Sequence, residues 1–322
     1  MIISASRRTD IPAFYSDWFI QRIQEGLVYV RNPLNIHKIS KIELNPDIVD
    51  GIVFWTKNPT PMIDKLDEFK QYNYYFQFTL NSYGSDIEIH VPKKKDVIIP
   101  AFKKLSSVIG AHRVIWRYDP IFFTDVYNAD YHIKYFELLA KQLCGYTDKC
   151  IISFIDDYRC TLHRMECLKW RHLSDEEIIY ISQRFLEIAQ KYNIRIESCS
   201  EKINLDEIGI PHGHCIDQAL LENIGSFKLK IGKDKTQREE CGCVTSVDIG
   251  MYDTCPNKCL YCYATRKPNM VAKNYSQNKL NSPLIVGDVM SDDVVISKER
   301  KSNRTFQEYT MNDLLIDVEV KK

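Results

Sequence analysis

The stretch Ile2-Ile-Ser-Ala-Ser-Arg-Arg-Thr-Asp10 decides the fold. A short run suited to a buried strand, Ile2 to Ala5, passes directly into Ser6, Arg7, Arg8, Thr9 and Asp10. The same grammar recurs along the first two thirds of the chain. Gly51 to Trp55 leads to Thr56, Lys57 and Asn58. Tyr74 to Leu80 carries Thr79 and leads to Asn81. Val114 to Tyr118 carries Arg117 and leads to Asp119. Ile151 to Ile155 leads to Asp156 and Asp157, and Ile194 to Ser198 carries Glu197 and leads to Cys199. Each run has about the length of a strand in a parallel sheet buried on both faces.

Between the runs lie stretches with helical spacing. Ser16 to Gly26 starts at a capping serine and ends at glycine. Pro59 to Tyr72 has proline where a helix tolerates it. Asn128 to Leu143 is amphipathic, Ser174 to Tyr192 opens with a Ser174/Glu177 capping box, and Cys215 to Asn223 is a shorter candidate. This alternation predicts an α/β fold with a parallel sheet and outer helices. Helix caps and turns explain any one polar strand end. Six in succession favour a (β/α) barrel of TIM type, partial or closed, because strand C-termini converge there on one mouth. Arg7, Arg8, Asp10, Lys57, Arg117 and Asp119 are therefore the candidate catalytic or ligand-binding residues. A charge network closing the barrel end is the competing reading.

The chain has 322 residues, 43 basic and 43 acidic, so its formal net charge is zero. Bulk charge does not hold it to a polyanion. With 4 Trp, 19 Tyr and 14 Phe it has the apolar mass for a core. Apolar runs such as Val97 to Phe102 fall short of the ~20 residues of a membrane span. Arg7 and Arg8 come too early for a secretory signal, so a cytoplasmic location is expected. Residues 1–269 are read as one barrel domain that includes a cysteine-rich region, 197–264. Residues 270–322, more polar, with apolar pieces at Pro283 to Val286 and Val294 to Ile296, are read as an extension packed over it and fraying at Lys321 and Lys322.

Cysteine is the outlier. There are 11, and seven lie between Cys199 and Cys262. Without an export signal they are not expected to form a disulfide framework. The densest group is Tyr252-Asp-Thr-Cys255-Pro-Asn-Lys-Cys259-Leu-Tyr-Cys262-Tyr-Ala264. Three thiolates in eight residues can each hold one iron of a [4Fe-4S] cluster and leave the fourth iron open. A structural zinc site prefers four ligands in two knuckles, which this spacing does not provide.

C-x3-C-x2-C with an aromatic, Tyr261, before the last cysteine resembles the motif of the radical S-adenosylmethionine superfamily. The resemblance implies a [4Fe-4S] cluster on Cys255, Cys259 and Cys262. It also implies S-adenosylmethionine chelated to the open iron with Tyr261 against its adenine, and a one-electron reductant such as flavodoxin or ferredoxin. Electron transfer to the sulfonium would then release methionine and a 5′-deoxyadenosyl radical, which takes a hydrogen atom from a substrate of unknown identity. Over most of its length the chain is also similar to the family domain of unknown function 1848. The matching pieces are Ser4 to Pro12, Phe54 to Pro59, Trp116 to Pro120 and Cys241 to Ala264. In the superfamily the motif follows the first strand. Here it follows a late one, Cys243 to Ile249. A barrel is cyclic, so a permuted order with the last strand beside the first keeps the cysteine loop at the same mouth.

Cys199, Cys215, Cys241 and Cys243 form a second candidate metal set, for an auxiliary [4Fe-4S] cluster or a zinc ion, with His212 or His214 as substitute zinc ligands. Cys144, Cys150, Cys160 and Cys167 read as ordinary thiols. The alternative function is a protein that binds or repairs nucleic acid around a structural metal site. Its support is the interleaved Trp116-Arg117-Tyr118, since bases stack on aromatics.

Overall fold

A computed structural model of the chain describes residues 1–305. In chain order the strands are β1 (Ile2–Ala5), β2 (Leu27–Asn32), β3 (Asn35–Glu43), β4 (Gly51–Thr56), β5 (Tyr74–Thr79), β6 (Val114–Ile121), β7 (Lys149–Phe154), β8 (Arg195–Ser198), β9 (Lys228–Leu229), β10 (Val247–Asp248), β11 (Val294–Ser297) and β12 (Arg304–Thr305). The helices are α1 (Ile11–Phe14), α2 (Ser16–Glu25), α3 (Thr60–Ile63), α4 (Ile99–Ile109), α5 (Ala129–Leu143), α6 (Arg159–Met165), α7 (Asp175–Lys191), α8 (Gln218–Gly225) and α9 (Pro268–Ser276).

All six expected strands form and lie in one sheet of seven, in the order β10-β1-β4-β5-β6-β7-β8. Every neighbouring pair in it is parallel. From β1 to β8 each new strand of the sheet adds on the same side, and β10 then joins at the opposite edge, beside β1. It is not closed: β8 and β10 do not pair, and the closed barrel is corrected to an open sheet. The reason lies at the free edge of β8. Ser198 bridges to His212, and the Gly213 N–H donates to the Ser198 carbonyl at 2.7 Å, so a loop takes the place of an eighth strand.

Period-two alternation builds both faces. Ile3, Ala5, Phe54, Phe76, Trp116 and Ile152 pack with Phe19, Phe102, Phe136 and Phe185 of the helices. Ile2, Val53, Tyr75, Ile115 and Ile151 point the other way, where Cys215, Ile216, Leu221, Cys241, Cys243 and Val244 cover them. Both sides are buried, which is why the strands read as continuous apolar runs.

Local signals set the helix ends. Gly26, at φ 71°, terminates α2 in the left-handed region. Asn128 caps α5, and both halves of the Ser174/Glu177 capping box form on α7. Three expectations change. The Pro59 to Tyr72 helix breaks into α3 and a 3-10 turn at Leu66–Phe69, which delivers Phe69 against Phe19 and Tyr74. The Cys215 helix starts only at Gln218, capped by Asp217, because Cys215 and Ile216 lie buried on the sheet. The late strand shrinks to Val247–Asp248, because Cys243 and Val244 leave the sheet edge for the same buried layer. The β2–β3 hairpin and α4 are additions. Val294–Ser297 pairs with β3, so this part of the extension packs on the hairpin. Lys321 and Lys322 lie outside the described residues. Among the described residues no helix is long and apolar enough to cross a membrane.

Behind the sheet, His132 is fully buried; its Nδ1 lies 2.8 Å from the Tyr118 hydroxyl and its Nε2 3.2 Å from the Phe122 carbonyl. Burial pushes its pKa from 6.5 down to about 4. The unfolded chain therefore takes up this proton first, so the residue's contribution to stability is complete above about pH 6.5 and lost toward pH 4. Between pH 7 and pH 5 it removes about 2 kcal/mol. Urea unfolding of wild type and His132→Asn at both pH values checks this: the variant should lose that part of the pH dependence, and equal dependence in both proteins contradicts it.

Candidate functional site

The site begins where β10 meets β1. The Asp248 carboxylate accepts from the Ser4 and Ser6 hydroxyls at 2.7 Å each, from Arg7 N at 2.8 Å and from Gly250 N at 3.0 Å. This knot sends the cysteine loop out at the end where the other strands finish. Gly250 is required there, since a Cβ would fall 2.1 Å from the Ser6 hydroxyl. The loop then settles on residues 87–90: Leu260 N donates to the Ile87 carbonyl at 3.0 Å, His90 N donates to the Asn257 carbonyl at 3.0 Å, and Glu88 bridges to Cys259.

A cavity of about 820 Å³ opens at this end. Arg7, Asp10, Lys57, Arg117, Asp119, Tyr261, Cys255, Cys259, Cys262, Cys199, Cys215, Cys241 and Cys243 all line it. One side chain stays out. Arg8 lies over the Tyr252 ring at 5.3 Å and 3.8 Å from Asp248, so it belongs to the knot. His212 and His214 are also absent from the lining. His212 Nε2 meets the Glu201 carbonyl at 2.9 Å, and His214 packs over Gly242. Cys160, read as an ordinary thiol, does line the cavity. Trp116 and Tyr118 are buried in the helix-facing core, so the Trp116-Arg117-Tyr118 triplet offers no surface on which bases stack.

The charged groups differ in how far they are committed. Asp10 caps α1, accepting from Ala13 N at 3.1 Å and Lys57 N at 2.8 Å; burial raises its pKa to about 6. Arg117 donates through Nε to Asp119 at 3.0 Å and through Nη1 to Cys215 Sγ at 2.7 Å, while Ser153 donates to the other Asp119 oxygen. Lys57 reaches Glu88 at 2.7 Å. Among the described residues, three buried polar atoms on lining residues have no protein partner: Arg7 Nη2, Thr9 Oγ1 and Asn257 Oδ1. They lie beside the cysteine loop and are free to meet the polar groups of a ligand.

Glu88 was not read from the sequence. It is 1% exposed, and burial alone would raise its pKa, but Lys57 and Lys94 outweigh burial and hold it down at about 2. Its Oε1 also accepts from the Tyr261 hydroxyl at 2.5 Å, and its Oε2 lies 2.7 Å from Lys94 Nζ. No sequence signal marks it, because Ile87-Glu88-Ile89 looks like ordinary alternation.

The two cysteine sets share this cavity. Burial raises the pKa of Cys255, and pushes Cys259 up to about 12. In the other set Cys199 Sγ lies 3.1 Å from Cys215 Sγ, and Cys243 Sγ accepts from Ile216 N, the residue after Cys215, at 3.3 Å. A zinc ion with four thiolates at 2.3 Å needs sulfurs about 3.8 Å apart in every pair. Among the described residues the one group of three or more donors within 4.8 Å of one another is His37, Asp292 and Asp293, so neither cysteine set is gathered around a single ion. All seven donors of the two sets are thiols lining one cavity, which is the donor chemistry of iron–sulfur ligation.

No curated protein matches the chain. The family model described as domain of unknown function (DUF1848) matches residues 2–264, from β1 through the cysteine loop, and the chain belongs to that family.

Proposed function

We propose that this chain is a radical S-adenosylmethionine enzyme built on a permuted partial barrel. The observation that carries the reading is the parallel pairing of β10 with β1, Ile3 with Val247 and Ser4 with Asp248. It gives a late C-x3-C-x2-C loop the position beside the sheet that a motif after a first strand would have. Cys255, Cys259 and Cys262 would hold a [4Fe-4S] cluster, and Cys199, Cys215, Cys241 and Cys243 an auxiliary one. When bound, such a cluster would supply one-electron reduction of the S-adenosylmethionine sulfonium, chemistry that would let the enzyme take a hydrogen atom from a substrate.

The chain's own residues supply placement and exclusion of water. Arg7 carries an unshared guanidinium N–H toward an anionic ligand group. Thr9 and Asn257 add a hydroxyl and a carbonyl oxygen. Lys57, 5.5 Å from the Tyr261 ring centre, and Glu88 hold that ring in place. The electron would come from a flavodoxin- or ferredoxin-like donor.

The test is anaerobic. Protein reconstituted with iron and sulfide, then given dithionite and S-adenosylmethionine, should form 5′-deoxyadenosine. Cluster-loaded wild type that forms none overturns the reading.

A further inference from the structure

We infer that Arg117 is a positioning residue of the four-thiol set, donating to the Cys215 sulfur and thereby raising the reduction potential of the iron–sulfur cluster held there. The inference rests on the auxiliary cluster of the proposed function and assigns Arg117 a role other than holding a substrate anion.

The guanidinium has little left to offer a ligand. Arg117 is 6% exposed on β6. Its Nε and Nη2 both donate to Asp119 Oδ2, and its Nη1 donates to Cys215 Sγ at 2.7 Å. Asp119 is itself fixed, with Ser153 of β7 on its other oxygen and its N–H donated to Asn81 Oδ1 at 2.8 Å. The backbone of Cys215 is fixed as well. The Cys215 carbonyl accepts from the Tyr75 hydroxyl at 2.6 Å and from Gln77 Nε2 at 2.9 Å, both on β5. Cys215 is also close to two other members of the set: its Sγ lies 3.1 Å from Cys199 Sγ, and the N–H of the next residue, Ile216, donates to Cys243 Sγ at 3.3 Å. A cation on this sulfur therefore acts on the whole set.

The sign follows from charge. Taking one electron from an external reductant such as dithionite adds one negative charge to the cluster, with no bond made or broken. A guanidinium N–H on a ligand sulfur stabilises that added charge and raises the potential. Asp119 sits behind the guanidinium and opposes it. Removing the cation should lower the potential, and removing the Asp119 charge should raise it. A purely structural role predicts no such opposition.

The experiment uses the full chain carrying Cys255→Ala, Cys259→Ala and Cys262→Ala, reconstituted anaerobically. About four irons should remain, and a redox titration followed by electron paramagnetic resonance then reads the auxiliary cluster alone. In Arg117→Gln the ratio of reduced to oxidised cluster at a fixed potential should fall about tenfold, a shift of about 59 mV for one electron. Arg117→Lys should move it less, and Asp119→Asn should move it upward. If Arg117→Gln loses its iron, the lysine and asparagine variants carry the test with their opposite signs. Iron retained with an unmoved midpoint in these variants overturns this inference and leaves the auxiliary cluster standing. A triple-cysteine protein that binds no iron overturns the auxiliary cluster and this inference with it.

Discussion

Cys259→Ala should abolish 5′-deoxyadenosine formation, a fall of more than about a hundredfold, while the protein stays folded. Loss of groups behind a metal ligand costs up to about a hundredfold, and loss of a ligand costs more. The fold should tolerate the change. Cys259 is 4% exposed among Tyr83, Ile87 and Phe122, and backbone bonds from residues 87–90 already fix its loop. Cys259→Ser should behave as Cys259→Ala does, because a hydroxyl is a poor substitute for a soft thiolate. Cys150→Ala is the contrast. That thiol is fully buried on β7 in the helix-facing core, and its loss should leave product formation near wild type. Product in Cys259→Ala at the wild-type level would remove the triplet from the chemistry.

The parallel sheet was legible because both its faces are buried. Burial on both sides writes each strand as an unbroken apolar run, and all six runs became strands of one sheet. The helix ends at Ser174 and Gly26 were legible for the same kind of reason, since capping is local chemistry. Closure was not legible. It depends on whether β8 finds β10 or another segment, and the segment at His212 to Gly213 carries no strand pattern of its own. The β2–β3 hairpin hid because it is half exposed, so its alternation is diluted by Asn32 to Asn35 and by lysines. In the site, residues at strand ends were found by position alone: Arg7, Asp10, Lys57, Arg117 and Asp119 reached the cavity, while Arg8, one residue along, turned to Tyr252. Which of them is free and which is spoken for is a property of neighbours distant in sequence. Arg117 reads from the sequence as a candidate ligand-binding residue, but Asp119 and Cys215 already occupy its guanidinium.

Glu88→Gln should cost about 3 kcal/mol of stability at pH 7, the largest loss expected from any single neutral replacement at this site. Breaking a buried pair by removing one partner leaves the other charge uncompensated, which typically costs 3–5 kcal/mol. Here two cations are left. Lys57 is 12% exposed and Lys94 21%, so Lys57 bears more of the loss. The lower end of the range applies because both ammonium groups keep some water. The Tyr261 hydroxyl also loses its charged acceptor, which Asn81 Nδ2, donating to the same oxygen at 3.1 Å, does not replace. Because the folded Glu88 pKa is depressed from 4.5 to about 2, its contribution is present above about pH 4.5 and disappears as pH falls through about 2. Wild type and variant should therefore converge in acid and differ most near neutrality. Urea midpoints at pH 7 measure the difference. The double variant Lys57→Met/Glu88→Gln should recover part of it, because the strain comes from the stranded cation and not from the missing carboxylate. A Glu88→Gln protein as stable as wild type at pH 7 would mean that Lys57 and Lys94 find water or another acceptor without Glu88, and that the carboxylate does not hold the floor under the cysteine loop.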